Sequence, residues 1–77
     1  MDIDEDRIDD AVLALLFLTL GQDGRAWKGF SWKVMGRLHD KGMIGDPDGK
    51  AESVVLTDAG MARSEQLFHE MFAKPSR

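Results

Sequence analysis

The stretch Leu38-His39-Asp40-Lys41-Gly42-Met43-Ile44 restricts the fold more than any other part of the chain. A helical pattern stops at a glycine and an apolar pair follows at once. Gly42 stands at the position after a helix where a left-handed backbone is required, and Leu38 and Met43 are spaced for the hydrophobic contact of a Schellman ending. Asp46-Pro47-Asp48-Gly49 then has the residue order of a type I turn, with Asp first, Pro second and Gly last. That turn joins Met43-Ile44 to the β-branched run before Thr57, which predicts a hairpin over residues 43–57. A two-stranded hairpin is unstable alone in water and must lie on helices. Thr57 is placed to cap a helix over residues 58–73. Met61, Ser64, Leu67, Phe68, Met71 and Phe72 form its apolar face; Arg63, Gln66, His69 and Glu70 form the opposite one.

Two helices are expected upstream. The first covers residues 4–20, with Asp4 as N-cap, Glu5 and Asp6 where the helix dipole favours negative charge, and Ile3 and Ile8 at staple positions. Ile8, Val12, Leu15, Leu16 and Thr19 fall on one face, Leu13, Phe17 and Leu20 on a flank, and Ala14 and Leu18 fill much of the rest. A helix that is apolar nearly all round must be covered nearly all round. The second covers residues 31–41, capped by Ser31 and stapled by Phe30 and Met35. Val34, Met35 and Leu38 face inward. Lys33, Gly36, Arg37 and Asp40 face outward, with Trp32 and His39 at the border. Gly36 weakens this helix by about 1 kcal/mol relative to Ala, which reads as a point of close approach. Residues 22–30 form a glycine-rich connector whose Trp27 and Phe30 are expected to plug the core.

The whole is expected to be a single domain over residues 1–77, mainly α with a small β-hairpin (α+β). A chain of 77 residues buries only about 60–65% of its unfolded surface. It has no cysteine to brace it, so helix packing or oligomerisation must compensate. The formal net charge of −4 argues against general nucleic-acid or membrane binding. The charge is uneven: residues 1–10 are acidic, and Arg25, Lys28, Lys33, Arg37 and Lys41 make the middle basic, so the two regions can attract each other. The acidic start is unlike a secretory signal, and the apolar run from Ala11 to Leu20 is far short of a membrane span. A cytoplasmic protein is the expectation.

The region from Leu38 to about Leu67 resembles small winged-helix transcription regulators of the multiple-antibiotic-resistance and phenolic-acid-regulator families. In those, a recognition helix ends in Lys-Gly-Leu-Ile and a later strand runs into Leu-Thr-x-x-Gly. The matching residues here are Lys41-Gly42-Met43-Ile44 and Leu56-Thr57-Asp58-Ala59-Gly60. The resemblance implies a reduced winged-helix-like architecture, reduced because residues 22–30 are too short and glycine-rich for the helix that precedes the recognition helix. The chain as a whole resembles a family of short bacterial proteins classed as a domain of unknown function, through Met1-Asp2-Ile3-Asp4, Ala11-Val12-Leu13-Ala14-Leu15-Leu16, Arg25-Ala26-Trp27-Lys28-Gly29-Phe30 and the region just quoted. That likeness implies a fold and brings no catalytic or binding residues with it.

No catalytic motif survives inspection. His69-Glu70 opens like a zinc-protease helix, but Ala73 stands where the second histidine belongs. Asp2, Asp4 and Asp6 alternate like the start of a calcium loop, yet Arg7 replaces the loop glycine and Leu13 the closing glutamate. Residues 45–50 have one residue too few between their glycines for a phosphate loop, and Ala51 follows in place of Ser or Thr. No enzyme, cofactor or metal site is therefore expected. The surplus of apolar residues points instead to a protein-interaction module, a homodimer through Leu13, Phe17 and Leu18 of the first helix and Leu67 and Met71 of the last. The runner-up is a DNA-binding regulator or accessory contacting nucleic acid through Arg25, Lys28, Lys33 and Arg37. A third reading is an acidic inhibitor that docks residues 2–10 on a basic partner.

Overall fold

The computed structural model describes residues 1–47 and 53–75. Its elements run α1 (Glu5–Leu16), a 3-10 turn (Phe17–Thr19), β1 (Arg25–Trp27), α2 (Trp32–Asp40), β2 (Ser53–Val55) and α3 (Asp58–Phe72). This is the α+β class expected, three helices and a two-stranded antiparallel sheet, with β1 before α2 in the chain and β2 after it. No helix among the described residues is long and apolar enough to cross a membrane.

The caps explain where the helices begin and end. The Asp4 side chain accepts the Arg7 backbone N–H at 3.1 Å and opens α1. At its far end α1 tightens into the 3-10 turn, and Leu20 is already extended. Ser31 occupies the expected N-cap position of α2, but its hydroxyl makes no capping bond. The α2 ending is the Schellman form anticipated: Met43 N–H reaches Leu38 O at 3.0 Å, Gly42 N–H reaches His39 O at 2.9 Å, and Gly42 has φ +75°. Thr57 caps α3 by accepting the Gly60 N–H at 3.0 Å, and its own hydroxyl donates to Gly42 O at 2.6 Å. One side chain thereby ties the end of α2 to the start of α3.

The sheet holds a strand that the sequence did not announce. Residues 25–27, expected as irregular connector, form β1 and pair antiparallel with β2, Arg25 opposite Val55, Ala26 opposite Val54 and Trp27 opposite Ser53. A turn at residues 21–24 aims the chain into it, with Gly21 N–H on Arg25 O at 2.9 Å and Gly24 at φ +76°. On the other side of β2, Ile44 bridges Leu56, Gly45 N–H reaches Val55 O at 2.8 Å, and Thr57 N–H reaches Met43 O at 3.0 Å. The hairpin base is therefore paired as expected. The turn expected at residues 46–49 and the loop at 45–50 extend outside the described residues.

The core lies between α1, α2, α3 and the inner face of the sheet. Leu13, Leu16, Leu38 and Ile44 are its largest fully buried apolar side chains, joined by Val54, Leu56 and Leu67. The buried stripe of α1 is Asp9, Leu13 and Leu16 with Ala14, so Leu13 belongs to the centre rather than the flank. Ile3 and Ile8, expected as a staple, are exposed. Trp27 does not plug the core. It is 57% exposed on the outer face of β1, and its ring lies over Gly29, where a Cβ would come within 2.6 Å of the indole. Gly60 answers a similar demand inside, because a Cβ there would collide with the Met43 carbonyl. The glycine of the Leu-Thr-x-x-Gly pattern lets the first turn of α3 rest on the backbone that leaves α2.

Candidate functional site

Helix α2 presents three different faces. Val34, Met35 and Leu38 are buried. A second face turns to the first turns of α1. Arg37 Nε lies 2.9 Å from each carboxylate oxygen of Asp9, Arg37 Nη2 lies 2.8 Å from Asp9 Oδ1, and Arg37 Nη1 lies 3.0 Å from Glu5 Oε2. One turn on, Lys41 Nζ bonds Asp9 Oδ2 at 2.9 Å and Asp6 Oδ1 at 2.8 Å. Asp9 is 0% exposed, so a full charge is held inside a small core by two cations. The Arg37 guanidinium holds the Asp9 carboxyl below the usual carboxylate range; burial opposes this, and Lys41 adds to the lowering. In return Arg37 is raised chiefly by its bonds to Asp9, and Lys41 by its bonds to Asp6 and then Asp9. The acidic head and basic middle do attract each other, within one chain.

The third face of α2 looks outward. Trp32, Met35 and Gly36 line an open groove of about 370 Å³ together with Lys28, Phe30 and Pro47. Lys28 Nζ donates to Pro47 O at 2.7 Å and links the connector to the far wall. Trp32 is 79% exposed. Gly36, expected to mark a close approach, has no described atom beyond its chain neighbours and its own helix backbone within 4 Å of the position a Cβ would take. Its missing side chain leaves the groove floor open instead of admitting a neighbour within the chain. Lys33, three residues before Gly36, is exposed and makes no ion pair among the described residues.

A second apolar surface lies at the open end of α1 and α3. The Phe17 and Phe68 rings are 5.2 Å apart and the Phe68 and Phe72 rings 5.5 Å. The last turn of α3 runs on past the core, leaving Met71 43% and Phe72 47% exposed, and Leu18 on the 3-10 turn is 65% exposed.

The residues singled out from sequence divide accordingly. Leu13 and Leu67 are buried in the chain's own core and have no surface to give a partner; Phe17 is half-buried; Leu18 and Met71 are exposed. Among the basic residues, Arg37 turns to α1 rather than outward. Arg25 donates through Nε to Ser53 Oγ at 2.8 Å and through Nη2 to Ser53 O at 3.0 Å. Lys28 lines the groove, and Lys33 is exposed on α2. His39 Nδ1 lies 3.2 Å from Ile44 O, at the helix border where it was expected.

Residues 4–74 match the family described as Domain of unknown function (DUF6429). The chain belongs to that family. A relative from Sinorhizobium fredii, named Uncharacterized protein y4hR, is 58% identical over 74 residues, covering 96% of this chain and 100% of the relative. No solved structure matches. In this DUF6429 chain Asp9 lies within an acidic run and so has the sequence character of a solvated residue. Its spacing in line with Leu13 and Leu16 was the available signal. The groove has no local sequence signal, because Trp32, Gly36 and Pro47 are brought together only by the fold.

Proposed function

We propose that this chain is a small non-enzymatic protein-interaction module of the cytoplasm that pairs with a second copy of itself. The observation that carries this reading is the apolar overhang of α3, where Met71 and Phe72 extend beyond the core beside Phe68, Phe17 and Leu18. A symmetric pair is the commonest way to cover such a surface. The nucleic-acid alternative has less to draw on, since Arg25 and Arg37 spend their donors on Ser53, Asp9 and Glu5. An acidic docking arm is similarly weakened, since Glu5, Asp6 and Asp9 already have cations. Hydrogen–deuterium exchange at rising protein concentration tests the reading. Increasing protection confined to the 3-10 turn and the last two turns of α3 is expected; protection independent of concentration there would remove its support.

A further inference from the structure

We propose that the outer face of α2 is a second, weaker contact between copies of this chain, in which two α2 helices cross antiparallel at Gly36 and Lys33 of each faces Asp40 of the other. This contact lies apart from the α1–α3 end and does not depend on pairing there.

Gly36 sets the shape. Lys33, Gly36 and Asp40 are three and four residues apart and so share one side of the helix. Trp32 borders that side one turn before Gly36 and is 79% exposed. Val34, Met35 and Leu38 are buried on the other side. A Cβ on Gly36 would meet no described atom beyond its chain neighbours and its own helix backbone. The side chains at a crossing set the separation of two packed helices, about 8–10 Å between axes. A glycine at the crossing admits the closest approach, and the indole of Trp32 beside it loses water contact when a second helix arrives.

Charge selects a second copy as the partner. Lys33 and Asp40 are both exposed, and neither makes an ion pair among the described residues. They stand about two helical turns apart, evenly placed about the bond between Gly36 and Arg37. A twofold axis through that point sets each Lys33 against Asp40 of the other copy, the reciprocal contact that a self-complementary face requires. Parallel helices would bring like charges together instead. A partner of one sign, whether an acidic peptide or a nucleic acid, would be drawn to one of these groups and repelled by the other. One crossing of a nine-residue helix is smaller than a standard interface, so the contact is weak and is read by trapping it rather than from the mass of the wild-type protein.

The chain has no cysteine, so disulfide trapping tests the register. Lys33→Cys and Asp40→Cys are made separately in the Leu18→Glu, Met71→Glu chain, which removes the α3 contact, and folding is checked by circular dichroism. Each is oxidised alone and as an equal mixture at the same total concentration, and linked dimer is read on non-reducing gels. Identical positions lie about 10 Å apart along an antiparallel pair in this register, too far for a disulfide, whereas positions 33 and 40 of different copies meet. The mixture is expected to give at least about fivefold more dimer than either variant alone. Adding Gly36→Leu, which fills the crossing, should lower that yield to the level of the single variants. Equal dimer in all three samples, or a mixture yield unmoved by Gly36→Leu, overturns the proposal. Every sample lacks the α3 contact, so neither outcome depends on whether wild-type copies pair through α3.

Discussion

At the scale of single residues, Asp9 is the group on which the first helix depends. It cannot reach water, whereas Arg37 and Lys41 are partly exposed and hold second partners in Glu5 and Asp6. Removing Arg37 therefore leaves a buried charge with one cation in place of two, while removing the anion leaves cations that water can solvate. Arg37→Ala is expected to lower the urea denaturation midpoint clearly more than Asp9→Leu does. The pH dependence follows from the lowered Asp9 value. Its contribution is fully present above about 3.9, the ordinary aspartate pKa, and is lost as pH falls through the lower folded-state value. The stability gap between wild type and Asp9→Asn should accordingly be constant from neutral pH to about 5 and close below about 4 in acid titrations followed by circular dichroism. The raised Lys41 value acts in the opposite range, its contribution being present below about 10.4 and lost as pH rises beyond. Gly60→Ala offers a third test. Its Cβ meets the Met43 backbone, which no rotamer relieves, so a loss of about 2–3 kcal/mol is expected in the same assay.

At the scale of elements, legibility followed how local the causes were. The Schellman ending of α2, the Asp4 and Thr57 caps and the hairpin base were readable because each depends on residues within a few positions of one another. β1 was not, because Arg25-Ala26-Trp27 sits among glycines and becomes a strand only by pairing with β2, about 28 residues away. The faces of α2 were half legible. Its apolar stripe marks Val34, Met35 and Leu38, but Arg37 reads as solvent-facing because its partner, Asp9, is distant in sequence and lies in an acidic run. The groove was the least legible feature, since it needs the connector, α2 and Pro47 together. Gly36 gives this scale its own prediction. With open space around it, Gly36→Ala should raise helix stability by about 1 kcal/mol and increase the thermal midpoint by several degrees in a melt followed by circular dichroism.

At the scale of the whole molecule, the surplus apolar surface lies elsewhere than in the middle of the first helix. Leu13, Ala14 and Leu16 are absorbed by the chain's own core, which the small sheet and α3 close from two sides. Exposed large apolar side chains remain at the end of α3 and on the 3-10 turn (Leu18, Met71 and Phe72), on α2 (Trp32), on the sheet (Trp27 and Val55) and near the start of the chain (Ile3 and Ile8). The pairing of copies through α3 is the claim on which the functional account rests, and sedimentation equilibrium on the full chain tests it most directly. Between about 10 and 200 μM the account predicts a mass rising towards twice 8.6 kDa, returning to the single-chain value with Leu18→Glu and Met71→Glu combined while the circular dichroism spectrum is unchanged. A wild-type mass that stays at one chain throughout that range would contradict it.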